Sequence, residues 1–262
     1  MFDSNPNLIQ DGLRTNASRN AAPLVLFHDG GGTIFSYHLL DDLGRKVWGI
    51  ANPRFKTRIP WDGGLREMGA AYAKYVATAV PYGPVILGGW SLGGVLAIET
   101  ATVLAQSYPR IEVLGLVLID SVCPVPPRDG WAGAEARLVK RHIEWPATTA
   151  PATKVSVEWC FGEAFRTVRE WQLPIASLPP AVLIRCQEPV PVPDDGLLYV
   201  DLNRRDRHLG WDNYRPRMFC QVLDVSGNHY NVFAFDRLEE VTDLVKTACR
   251  TIESESKKAA NG

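Results

Sequence analysis

Residues 88–94, GGWSLGG, follow the apolar run Pro84-Val85-Ile86-Leu87 and precede Val95-Leu96-Ala97-Ile98. A buried strand, Gly-x-Ser-x-Gly and a helix in succession predict a nucleophile elbow. Ser91 then sits on a strained strand-to-helix turn, where Gly89 and Gly93 let the backbone pass while the hydroxyl points outward. A helix starting at Leu92 aims free N–H groups and its positive dipole end at the space beside that hydroxyl.

A serine hydroxyl is a poor nucleophile at neutral pH, so it needs a base within hydrogen-bond reach and an acid to orient the base. The chain order expected at such an elbow is Ser, then Asp or Glu, then His. Five histidines are available. His28 and His38 precede Ser91, His142 falls in a long insertion and His208 in a charged excursion. His229, in SGNHY just after the last predicted strand, has both the order and the context. For the acid two readings stand: Asp120, which ends LVLID, or Glu188, Asp194 and Asp195, which follow AVLIRC. Both places are strand C-terminal ends, where sites gather on open parallel sheets.

An oxyanion hole needs two preorganised N–H donors. The backbone of Leu92 supplies one, and the loop FHDGGGT supplies the other, because Gly30, Gly31 and Gly32 permit close approach. No Gly-Lys-Ser/Thr follows, so the loop does not read as a phosphate cradle.

The elements that must position these groups follow from short apolar runs: Leu24–Phe27, Val47–Ile50, Val85–Leu87, Leu116–Ile119, Ala181–Ile184 and Val222–Val225. Runs of this length predict strands buried on both faces. Between them Leu65, Met68, Tyr72, Tyr75, Val76 and Val80 recur at helical spacing, as do Leu96, Thr100, Val103 and Leu104. Alternating strands and helices predict an α/β class with a mostly parallel sheet covered on both sides.

About sixty residues separate the strand ending at Ile119 from the one starting at Ala181, far more than a crossover needs, and predict an inserted helical lid over about 124–180. It opens with CPVPP and holds two amphipathic stretches, 132–145 and 154–171. A second excursion, 187–217, is rich in proline and charge. The last helix is expected from Arg237 to Ile252. The reading is one domain over 21–254, a flexible segment at 1–20 and a disordered tail at 255–262.

The chain has 262 residues, 46% of them hydrophobic, with 28 basic and 29 acidic side chains and a formal charge of -1. No basic stripe supplies the footprint of a nucleic-acid binder. The polar start lacks a signal peptide's apolar core and no long apolar span follows, so a soluble, cytoplasmic protein away from membranes is expected. Five cysteines at wide spacing suit neither a disulfide framework nor a zinc site; they read as packing residues, with no metal and no cofactor.

With elbow, glycine loop and histidine in place, the sequence resembles the thioesterases that release products from polyketide synthases and nonribosomal peptide synthetases, most of all the terminal domains of fungal enzymes. The likeness runs through PLVLFHDGGG, VWGIANPRF, GLREMGAAYAKYV, GPVILGGWSLGG and LVLIDSVCPVPP, resumes at AVLIRCQEP, LGWDN and VSGNHYNVF, and is weak through the lid. The resemblance implies an α/β-hydrolase fold and carries the acid role to Asp120, in the context "LIDS". It also implies that a tetrahedral oxyanion rests on the N–H groups of Leu92 and Gly30. The substrate it implies is an acyl thioester held on the phosphopantetheine arm of an acyl carrier protein. Water would release an acid, an internal nucleophile a ring.

A methionine followed by about twenty polar residues, without carrier-domain sequence, leads to the expectation of a free-standing enzyme acting in trans. Competing expectations are a proofreading thioesterase that strips aberrant acyl groups, a general carboxylesterase and a non-catalytic docking module. Trp131, Trp145, Trp159, Phe161, Phe165 and Trp171 are candidates to line an acyl pocket. Arg204, Arg205, Arg207, Arg215 and Arg217 are candidates to meet an acidic carrier protein.

Overall fold

The computed structural model describes residues 4–12, 21–126, 135–139, 143–174 and 177–261. Strands β1 (Asn7–Gln10), β2 (Leu24–Phe27), β3 (Val47–Ile50), β4 (Gly83–Trp90), β5 (Ile111–Ile119), β6 (Ala181–Cys186) and β7 (Phe219–Val225) form one sheet in the order β1-β3-β2-β4-β5-β6-β7. Every pairing is parallel except that of β1 with β3. Helices α1 (Gly64–Ala79), α2 (Leu92–Ser107), α3 (Pro151–Arg169) and α4 (Leu238–Asn261) accompany it. This is the α/β-hydrolase fold.

The apolar runs are strands because both faces are covered. Leu24 to Phe27 are wholly buried, as are Ala181 to Ile184. On one face Val25, Phe27, Val85 and Leu87 pack with Leu65, Met68 and Tyr72 of α1 and Leu96 and Leu104 of α2. On the other Leu24, Leu26, Ile86 and Val117 pack with Val241, Val245 and Ile252 of α4. Alternate residues of each strand thus feed two separate cores, which is why the runs carry no polar alternation.

Both ends depart from expectation. Residues 7–10, expected to be flexible, form β1: Asn5 Nδ2 donates to Ala51 O at 2.8 Å, and Gln10 Nε2 to Asp41 O at 3.0 Å. One apolar pair, Leu8-Ile9, is too short a run to signal a strand; its partner strand supplies the order. Residues 1–3 and 13–20 lie outside the described residues. At the other end α4 runs past Ile252 to Asn261, where a disordered tail was expected. Glu255 and Lys258 pair at 2.8 Å one turn apart, and lysine, glutamate and alanine all favour helix.

The insertion between β5 and β6 carries α3 where the second amphipathic stretch was read. Of the first stretch, Glu135–Arg137 forms a short 3₁₀ turn, and 131–134 and 140–142 lie outside the described residues. Among the described residues no helix is long and apolar enough to cross a membrane. All five cysteines are free; four are buried and Cys220 is exposed.

Candidate active site

Ser91 has φ +58° and ψ −120°, a combination L-residues rarely adopt, between the last residue of β4 and the first of α2. Holding it costs on the order of 1–3 kcal/mol, which the surrounding packing must supply. The glycines explain how the turn fits. A Cβ on Gly93 would collide with the carbonyl oxygen of Phe27, and one on Gly89 would lie 2.8 Å from the same oxygen. The elbow is therefore pressed onto the C-terminal end of β2. Tyr37 ties the two strands there, donating its hydroxyl to Phe27 O at 2.6 Å and accepting from Trp90 N–H at 2.8 Å.

Three side chains from three strand ends meet at this turn. His229 Nε2 stands 3.0 Å from Ser91 Oγ, and His229 Nδ1 2.8 Å from Asp120 Oδ2. Asp120 is fully buried directly after β5, with φ +44°. His229, in the loop after β7, is 1% exposed and lies against the Trp90 ring at 5.3 Å. Glu188, Asp194 and Asp195, the other candidate acids, are exposed on the surface. Of the remaining histidines, His28 is buried against Tyr72 Oη at 2.6 Å, His38 is exposed, His208 pairs with Asp212 at 2.6 Å, and His142 lies outside the described residues.

Asp120 accepts four hydrogen bonds. Oδ1 takes the Cys186 N–H at 2.8 Å and Arg204 Nη1 at 2.6 Å; Oδ2 takes Arg204 Nη2 at 2.8 Å as well as His229. Burial alone would raise its carboxyl, but the bonds and charges of His229 and Arg204 together outweigh burial and hold it well below the usual carboxylate range. Arg204 is thus no docking residue, in contrast to the reading of the arginine run; its guanidinium is 6% exposed and committed inward. Arg205, Arg207 and Arg217 do face solvent. The contact was invisible in sequence because 84 residues separate the partners.

Ser91 and His229 open onto a cavity of about 180 Å³. Gly30 and Leu92, the expected oxyanion donors, both line it, and Leu92 is the first residue of α2, whose N–H has no intrahelical acceptor. Helix α3 forms the far wall with Phe161, Ala164, Phe165 and Val168. A Cβ on Gly30 would lie 3.0 Å from the Phe161 ring, so the insertion rests directly on the glycine loop. Of the aromatic residues singled out in the insertion, Phe161 and Phe165 line the cavity. Trp171 instead bonds Glu99 at 2.5 Å, Trp145 and Trp159 are absent from the lining, and Trp131 lies outside the described residues. The lining also holds Tyr199 and Tyr230, which sequence reasoning missed.

Sheet, elbow and linked Ser-His-Asp chain together define an α/β-hydrolase. Residues 22–249 match the model of the thioesterase domain, and the chain belongs to that family. It is 34% identical to the probable thioesterase gloN of Glarea lozoyensis, over 95% of this chain and 98% of that protein. It is 29% identical to the nonribosomal peptide synthetase imqB of Aspergillus flavus, over 96% of this chain but 8% of that protein. Among solved structures, the NocB thioesterase domain in covalent complex with a fluorophosphonate nocardicin G analogue has a TM-score of 0.64 and 26% identity, covering 88% of this chain and 95% of that one. The protein is accordingly a thioesterase.

Proposed function

We propose that this thioesterase releases a polyketide or peptide-polyketide chain from an acyl carrier protein, acting in trans in secondary-metabolite biosynthesis. The observation that carries this reading is the hydrogen-bonded line from Ser91 Oγ through His229 to Asp120 at the mouth of an apolar cavity. Ser91 Oγ attacks the thioester carbonyl while His229 Nε2 takes its proton and Asp120 steadies the imidazolium. The oxyanion rests on the N–H groups of Leu92 and Gly30, each such donor contributing about 10²- to 10³-fold in rate. The C–S bond breaks, the phosphopantetheine thiol leaves with the proton from His229, and the acyl-enzyme remains. Water or a nucleophile of the chain, deprotonated by His229, then discharges it as an acid or a ring. No metal or further cofactor enters these steps.

The fluorophosphonate complex of the NocB domain supports a serine route by likeness, and the match to a stretch of a peptide synthetase supports a carrier-borne substrate. The test loads a model acyl chain on a carrier protein, adds wild type or Ser91→Ala, and follows carrier and product by mass spectrometry. Release by wild type and none by Ser91→Ala is expected. Equal release by both would remove the covalent route; no release from carrier, with hydrolysis of simple oxygen esters, would favour a carboxylesterase.

The cavity volume favours a second reading. At about 180 Å³ it falls below the ~300–1,000 Å³ of typical ligand pockets. A proofreading enzyme clearing short acyl groups fits that space as it stands. Faster release of acetyl or butyryl than of a long chain from the same carrier would decide for it.

A further inference from the structure

Arg204 lies outside the Ser91–His229–Asp120 line and yet grips its acid from the side away from the serine. Its two terminal nitrogens span both Asp120 oxygens at 2.6 and 2.8 Å, a bidentate pair with the guanidinium 6% and the carboxylate 0% exposed. Nη1 also donates to Cys186 O at 2.9 Å and Nη2 to Val200 O at 3.2 Å. The remaining edge, Nε, donates to Asp201 Oδ1 at 2.9 Å. Asp201 is itself 5% exposed, and its Oδ2 accepts the Val190 N–H at 2.8 Å. Two carboxylates and one guanidinium therefore leave one net negative charge behind the imidazole.

We propose that Arg204, with Asp201 as its counter-charge, is a positioning residue that sets the proton affinity of His229. It does so in two ways. Geometrically, Arg204 and the Cys186 N–H take three of the four acceptor directions of Asp120, leaving Oδ2 one direction for the His229 Nδ1–H. That fixes the tautomer with Nε2 bare toward Ser91, the form a general base requires. Electrostatically, Arg204 offsets part of the Asp120 charge, so the imidazolium is stabilised less than it would be by a lone buried carboxylate. Asp201 limits the effect by returning one negative charge.

The inference rests on the reading of Ser91 and His229 as nucleophile and base. Of the other ionisable groups nearby, Asp29 after β2, Tyr199 and Tyr230 line the same cavity as Ser91 and His229, and Cys186, the last residue of β6, gives its N–H to Asp120. All stay unchanged in the variants that follow.

The charge balance gives shifts of opposite sign. The rate at which a fluorophosphonate labels Ser91 is measured against pH in the full chain, with kcat/KM for an acyl thioester measured in parallel. Arg204→Met leaves two negative charges behind His229 and should move the acid limb of both profiles up by about one pH unit. Arg204→Lys, which keeps the charge and loses the fork, should move it less. Asp201→Asn leaves none and should move the limb down. The double variant Arg204→Met with Asp201→Asn restores one negative charge and should return the limb close to wild type. Acid limbs that coincide in wild type, Arg204→Met and Asp201→Asn, with thermal melts showing all three folded, would overturn the proposal. If Arg204→Met does not fold, Asp201→Asn decides alone: an unmoved or upward limb overturns it. Wild-type protein that labels elsewhere than Ser91 would overturn the reading of the site, and this inference with it.

Discussion

Gly93, in the first turn of α2, is packed so closely on the carbonyl oxygen of Phe27 at the end of β2 that no Cβ fits between them. The nucleophile turn and the loop that begins after Phe27 are therefore one rigid assembly. Gly93→Ala should cost about 1–3 kcal/mol through overpacking and displace the Leu92 N–H from the reacting centre. Urea unfolding gives the first effect, and the rate of serine labelling per folded molecule gives the second. An alanine variant with wild-type stability and labelling would show that the contact relaxes without consequence.

Tyr37 makes the same connection from the opposite side, one hydroxyl bridging Phe27 O and the Trp90 N–H. Burial pushes its phenol well above the usual tyrosine range, so it stays a neutral donor at every working pH. Tyr37→Phe leaves two buried backbone groups unpaired, at about 1–3 kcal/mol for each. The expected result is a lower unfolding midpoint together with a reduced kcat and little change in KM.

Two side chains of helix α3 clasp the backbone of Trp61. Glu163 Oε1 accepts the Trp61 N–H at 2.7 Å, and Arg166, paired with Glu163 at 2.6 Å, donates to Trp61 O at 2.8 Å. Glu163→Ala should release this clasp and expose α3 to exchange. Hydrogen exchange should rise across 151–169 while amides of β4 and β5 keep their protection. Uniform exchange throughout the chain would mean that the clasp carries only global stability.

His28 makes stability depend on pH. Burial pushes its imidazole down from the ordinary 6.5 to about 4, against a smaller opposing effect of the Asp29 carbonyl. The folded state thus binds this proton less readily than the unfolded chain, so its contribution is full above pH 6.5 and is lost as pH falls toward 4. That loss amounts to about 3 kcal/mol by linkage. Asp120 adds to it only at lower pH, because its carboxyl is held below its ordinary value. Urea midpoints at several pH values should slope between 6.5 and 4 in wild type, and less in His28→Gln.

Val95 lines the cavity from the second turn of α2 and is 3% exposed. Val95→Phe should fill space that an acyl chain needs. Specificity for a longer chain over acetyl should fall by about 10-fold or more, the range that a few methylenes are worth in an apolar pocket. Equal losses for acetyl and long chains would mean that the acyl group lies elsewhere.

Much of the site was legible because its signals are local. GGWSLGG states its own geometry, since a turn that presses one backbone on another tolerates only glycine at 89 and 93. Asp120 and His229 sit at ends of strands that apolar runs had already located. The choice of Asp120 over Glu188, Asp194 and Asp195, however, came from resemblance to a family, because strand-end position alone fits all four. The arginine run shows the opposite case: five arginines in a proline-rich excursion are candidates to meet an acidic carrier protein, and one of them, Arg204, is buried against the acid. The ends of the chain were misread for a related reason. Leu8-Ile9 gains its strand from β3, and the polar residues after Ile252 continue a helix whose buried face lies earlier in the chain.

By itself the sequence determined what can be encoded over a few residues: the strands of the two-sided core, the strained serine turn, the glycine loop and the order of acid and base. Only the tertiary structure decided what depends on contacts between distant segments. It set the two hydrogen bonds that link Ser91, His229 and Asp120, the seat of α3 on the glycine loop, and the fork of Arg204 on Asp120. The physical reason is that backbone preferences act between neighbours in sequence, whereas a buried charge is stabilised by whichever partner the fold brings within hydrogen-bond reach.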